Sequence, residues 1–163
     1  SYIEIDLPQE HFLVKAIKDG VITQYTVDKG ICRIAVNGNT TPSEALLKKH
    51  KLSCERANLY KNYYTYLYGL PMKLKDKGTI IHQKTTTKTF KGKEYLVLKV
   101  TYSEEVGKDI WYFYFDPKTY AMEVYQFFKK KKESGEYILL SGLETIHDIK
   151  MPKERAWYYN KND

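Results

Sequence analysis

Carboxylates are the residues of this 163-residue chain that come nearest to doing chemistry. Glu104, Glu105, Asp109 and Asp116 cluster around an aromatic stretch, and a glycan hydrolase needs two acids facing one cleft. Asp109 and Asp116 stand seven residues apart, which in a straight strand puts them on opposite faces and about 23 Å apart. Asp116, followed by Pro117, reads better as a turn initiator. The histidines, His11, His50, His82 and His147, form no HExxH or paired-ligand spacing. Two thiols without a nearby histidine, Cys32 and Cys54, make no zinc site. No GxSxG elbow and no Gly-rich phosphate loop is present. No catalytic residue, metal ligand or cofactor site is therefore assigned, and glycan hydrolysis stands last among the functions considered.

The aromatic stretch itself, Asp109–Phe128, reads as two strands joined by a tight turn at Asp116-Pro117-Lys118-Thr119. Side chains alternate along a strand, so Trp111, Phe113 and Phe115 share one face while Ile110, Tyr112 and Tyr114 share the other. Both faces are apolar, which predicts a sheet covered on both sides. Upstream, Tyr2–Leu7, Phe12–Ile17, Val21–Val27 and Ile31–Val36 read as strands, with Asp19-Gly20 and Lys29-Gly30 between them; Asp-Gly between apolar runs is a strong hairpin signal. Thr41-Pro42-Ser43-Glu44 predicts a capped helix to about His50. Ser53 caps a second helix to about Leu67, with Gly69 as its stop. Ala57, Tyr60, Tyr64 and Leu67 recur there at helical spacing, flanked by Leu59 and Tyr63, and this stripe is expected to pack on the sheet.

Beyond Leu70-Pro71 the chain returns to strands: Thr79–Phe90, Glu94–Tyr102, the aromatic hairpin, Tyr137–Ile146 and Ile149–Tyr159. Short polar turns predict an antiparallel meander. The fold expected is α+β: one domain over residues 1–163, with about nine strands in a curved antiparallel sheet and two helices covering one face. The chain starts at Ser1, already inside an alternating pattern, which reads as a mature or truncated chain whose upstream part is missing.

The formal net charge is +7, from 27 basic and 20 acidic residues, and the arginines are only Arg33, Arg56 and Arg155. Nucleic-acid readers lean on arginine, so nucleic acid is a disfavoured partner, whereas an anionic membrane surface stays open. Lys129-Lys130-Lys131-Lys132 could contact such a surface, but a charged turn guarding the strand that ends in Phe127-Phe128 is the favoured reading. No segment approaches the roughly 20 apolar residues of a membrane span. Cys32 and Cys54 are either a disulfide or two buried thiols, and composition leaves both open.

Several runs are worded like one family. Cys54-Glu55-Arg56-Ala57, the stretch Asn62–Leu74, Phe90-Lys91-Gly92-Lys93-Glu94-Tyr95, Trp111–Pro117 and Ile149-Lys150-Met151-Pro152-Lys153 resemble uncharacterised envelope proteins of Bacteroidetes-type bacteria, which carry a domain of unknown function. The strand–turn–strand rhythm around Tyr114-Phe115-Asp116-Pro117 is similar, more distantly, to the lipoprotein-carrier superfamily typified by LolA and LolB. That likeness implies a half-barrel with an apolar cavity, a periplasmic or outer-membrane-anchored location, lipid or lipoprotein as partner, and a Cys32–Cys54 disulfide. The chain departs from the carriers in lacking an N-terminal helix and in placing its helices mid-chain.

The function expected is non-enzymatic binding of an apolar ligand, such as a lipid or acyl chain, between sheet and helix. Its walls would be Tyr60, Tyr63, Tyr64 and Leu67 from the helix and Trp111, Phe113, Phe115, Tyr125 and Phe127 from the hairpin. The alternative is a structural or interaction module of an envelope assembly.

Overall fold

The computed structural model describes residues 2–129, 134–146 and 148–160. Lys130, Lys131 and Lys132 of the basic run, and His147, lie outside the described residues. The chain divides into two compact units, Ser1–Leu70 and Pro71–Asp163.

In the first unit, β1 (Tyr2–Asp6), β2 (His11–Lys18), β3 (Val21–Asp28) and β4 (Ile31–Val36) form an antiparallel sheet in chain order. Two of its turns are built alike. Asp19 and Gly20 have φ of 51° and 75°, and Lys29 and Gly30 have 47° and 81°, the paired positive values of a type I′ hairpin. Within the predicted Thr41–Glu44 cap, Ser43 caps helix α1 (Glu44–Lys49) by accepting from the Leu46 N–H, while Thr41 donates to Asn39. Helix α2 (Cys54–Gly69) is capped by Ser53, as expected, and Leu70 leaves it in extended conformation ahead of Pro71. Helix α2 packs on β2, β3 and β4. Phe12, Val14, Tyr25, Val27 and Ala57 form the core there, with Tyr60 and Tyr64 against it. A disulfide joins Cys32 of β4 to Cys54, the first residue of α2, with Cα atoms 5.7 Å apart.

The second unit opens with a 3₁₀ turn, Met72–Lys75, and then builds a seven-stranded antiparallel sheet: β5 (Thr79–Ile81), β6 (Thr86–Phe90), β7 (Lys93–Tyr102), β8 (Ile110–Phe115), β9 (Met122–Phe128), β10 (Gly135–Ile146) and β11 (Ile149–Tyr159). The strand expected over Thr79–Phe90 is two strands. Ile81 pairs with Val100 but Thr86 with Val97, so five steps on one side span three on the other, and the surplus is looped out of the ladder. The single curved sheet expected from sequence is thus two sheets, because the helices and the Leu70-Pro71 break separate β4 from β5. Neither sheet closes into a barrel: the first ends at β1 and β4, the second at β11 and at the β5/β6 edge.

The second sheet is nevertheless strongly coiled. Phe90 of β6 meets Tyr114 of β8 at 5.2 Å and Tyr137 of β10 at 5.3 Å between ring centroids. A flat sheet would hold β6 and β10 about 19 Å apart, four spacings of about 4.8 Å. The face bearing Tyr95, Val97, Tyr114, Val124 and Tyr137 is therefore concave. A bulge adds Glu123 between the pairs Tyr114–Val124 and Phe115–Met122. Lys93 reaches both Glu123 and Asp116 at 2.8 Å, so the bulge and the turn after β8 share one cation.

Candidate functional site

The residues predicted to form one apolar wall fall into two groups. Tyr60, Tyr63, Tyr64 and Leu67 lie on α2 in the first unit; Trp111, Phe113, Phe115, Tyr125 and Phe127 lie on β8 and β9 in the second. The hairpin group is a continuous aromatic layer. Trp111 stacks on Phe127 at 4.8 Å and on Phe113 at 6.0 Å, and Phe113 meets Tyr125 at 6.4 Å. Phe113 and Tyr125 are fully buried, Trp111 and Phe127 nearly so, and Phe115 is half-buried. Their alternation follows the strand rule of the sequence reading. Leu67 is buried in the same way on α2.

A cleft of about 610 Å³ opens in the first unit, within the roughly 300–1,000 Å³ typical of small-molecule sites. Tyr60 and Tyr64 line it; the other seven predicted wall residues do not. Sheet register explains where it opens. Phe12 pairs with Val27, Val14 with Tyr25, Ala16 with Thr23 and Lys18 with Val21, and these pairs share the face toward α2. Along β2 the inward series Phe12, Val14, Ala16 shrinks toward the Asp19-Gly20 turn. Phe12 and Val14 fill the core, while Ala16 and Thr23 leave space that α2 does not reach down to fill.

The floor and wall are apolar and aromatic: Val14, Ala16, Val21, Tyr25, Leu52, Tyr60 and Tyr64. Tyr25 and Tyr60 stand 5.8 Å apart and Tyr60 and Tyr64 6.1 Å apart, centroid to centroid. Burial pushes the phenols of Tyr25 and Tyr64 above their ordinary range, and at Tyr25 a backbone hydrogen bond at Ser53 partly offsets it. Both stay neutral hydroxyls at pH 7.

The rim is basic. Lys18, Lys49, Lys51 and Arg56 line the opening with His50, against a single carboxylate, Asp19. Arg56 Nη2 donates to Tyr60 Oη at 3.1 Å, and its Cζ lies 5.8 Å from the Tyr60 ring centroid. That hydrogen bond holds the guanidinium in its charged form. Lys51 is placed by the end of α1. The Leu52 N–H donates to Leu47 O and the Lys51 N–H to Lys48 O, a Schellman closure that puts Lys51 at φ 53°. Such a position favours glycine, yet a lysine occupies it. Among the described residues no ion pair engages Lys18, Lys49 or Lys51.

The sequence reading named Tyr60 and Tyr64 of this cleft and none of its basic rim. Two signals were present: the cluster Lys48-Lys49-His50-Lys51 between two helix caps, and Arg56 four residues before Tyr60, one helical turn. Of the carboxylates weighed for catalysis, Asp116 has a structural task. Asp116 accepts from the Lys118 and Thr119 N–H groups and pairs with Lys93, so it is a turn residue held well below the usual carboxylate range, with Lys93 the largest cause. Among the described residues no group of three His, Cys, Asp or Glu side chains could hold a metal ion. No helix among them is long and apolar enough to cross a membrane.

No curated protein and no solved structure matches the chain. The model of a family of unknown function, DUF6503, matches residues 1–163, and the chain belongs to that family.

Proposed function

We propose that this protein is a non-enzymatic binding protein whose first unit holds a lipid-like ligand in the cleft between β2–β3 and α2. The observation that carries the reading is the tapering inward row of β2, which leaves an apolar, tyrosine-walled cleft of about 610 Å³ beside an otherwise filled core. Neutral tyrosine hydroxyls fix orientation, and apolar burial contributes about 25 cal/mol per Å² of ligand surface removed from water. The Cys32–Cys54 bridge supports an oxidising, extracytoplasmic setting, for which we propose the cell envelope.

Native mass spectrometry of gently purified protein, compared with its denatured mass, tests this. We expect a released mass of lipid size, and we expect Ala16→Leu, which fills the narrow end of the cleft, to lower its occupancy. A bound mass unchanged by Ala16→Leu would place the ligand elsewhere.

A second reading, an interaction module, draws on the β10–β11 ribbon. Strand β11 has one open edge, carries Pro152 as edge strands tolerate along with exposed Ile149 and Tyr159, and lies beside exposed Leu143 of β10. Sedimentation tests it: a strictly monomeric species at all concentrations speaks against self-association through this edge.

A further inference from the structure

We infer that the ligand is a single-chain amphiphile with one anionic end group, a carboxylate or a phosphate monoester, received by Arg56, Lys49 and Lys51 at the mouth of the first-unit cleft. This rests on the binding reading above and names the chemistry of the ligand.

Size comes first. At about 30 Å³ per non-hydrogen atom, the share of a water molecule in the liquid, about 610 Å³ holds about 20 such atoms. One acyl chain of about sixteen carbons with its head group matches that volume, and a two-chain phospholipid exceeds it. Charge comes second. Four cations line the mouth against one carboxylate, and low-dielectric walls concentrate their field on whatever sits between them. Geometry comes third. Tyr60 anchors Arg56 from one side at 3.1 Å, leaving the remaining guanidinium N–H donors for a planar or tetrahedral oxyanion. Lys51 is fixed at its left-handed position by the Schellman closure of α1, and from there it lines the cleft. The apolar wall lies deeper, so the ligand enters tail first.

Equilibrium dialysis of the full chain against hexadecanoate, hexadecyl phosphate, hexadecanol and hexadecyltrimethylammonium, all below micellar concentration, separates the terms. Either anion should bind at least ~10-fold more tightly than the alcohol, the scale of a charge-assisted hydrogen bond, and the ammonium should bind weakest. Arg56→Gln and Lys49→Gln should each remove most of that preference, read as the ratio of anion to hexadecanol binding within the same variant. These residues are exposed, so the fold survives the change, and the alcohol measurement checks that the cleft does too. Raising salt should weaken the anions and not the alcohol. Equal binding of anion and alcohol would overturn the head-group assignment and leave the binding cleft standing. Binding of none of the four would overturn both.

Discussion

Removing the Cys32–Cys54 bridge is the perturbation whose size follows most directly from the fold. The bridge spans a sequence separation of 22 and joins β4 to the first turn of α2. On the chain-entropy model the closed loop removes about 2.1 cal/mol/K plus 1.5R times the logarithm of its length from the unfolded chain. For a loop of this length that comes to about 11 cal/mol/K, or about 3 kcal/mol at room temperature. Cys32 also touches the apolar cluster of Phe12, Tyr25 and Val27, so a serine there brings a hydroxyl into apolar surroundings and adds to the loss. The assay is urea unfolding followed by circular dichroism, on the oxidised protein, the reduced protein and the Cys32→Ser/Cys54→Ser double variant. The reduced protein should lose about 3 kcal/mol, the double variant the same or somewhat more, and both should show a larger m-value because their unfolded chains are less constrained. A difference below about 1 kcal/mol between oxidised and reduced protein would refute the loop-entropy reasoning, since it would mean the unfolded chain already holds these segments together.

Three further perturbations are as definite. Lys51→Gly relieves a left-handed lysine and should stabilise the chain by up to about 1 kcal/mol in thermal melts while weakening any anion held at the cleft mouth; a destabilised variant would remove the backbone argument. Gly135→Ala has no room, because a Cβ there runs into the Phe127 carbonyl oxygen and approaches Asn160 Nδ2 at 2.8 Å; a loss of about 2 kcal/mol or more in denaturant stability is expected, and a neutral substitution would contradict the placement of β10 on β9. The Asp116 carboxyl, held low by Lys93 and two turn N–H groups, ionises at lower pH folded than unfolded. Its contribution is therefore present above the ordinary value of 3.8 and lost as pH falls through the folded one. Melting temperature should drop more steeply below about pH 4 in the parent than in Asp116→Asn, and parallel curves would deny Asp116 this role.

Local rules made much of the fold legible, and long-range rules hid the rest. Asp19-Gly20 and Lys29-Gly30 announce their hairpins because a two-residue loop with paired positive φ admits few residues. Ser53 and the Ala57, Tyr60, Tyr64, Leu67 stripe announce α2 for the same kind of reason, a cap plus a period. The split of Thr79–Phe90 was not readable, because it follows from a register shift against β7 and not from any breaker in the strand. The cleft was half-readable. Its tyrosines lie on one helix face, but Lys18 joins them only through the β2–β3 register and Lys51 only through the turn that ends α1. For the hairpin aromatics, alternation told which residues share a face, not which element covers it.

The order of strands in the first unit, β1-β2-β3-β4, has a kinetic meaning. Every pairing joins sequence neighbours, so each closure spans a short loop and forms on the microsecond scale of a hairpin. The unit is finished at Leu70, before any of the later sheet has to exist. Its strands can thus pair on a nascent chain while the rest is still being made. Cys54 opens α2 and bonds Cys32 of β4 where that helix packs on the sheet, so we expect oxidation to accompany the docking of α2. A thiol-trapping time course would then read the bridge as a clock, its appearance marking the docking of α2.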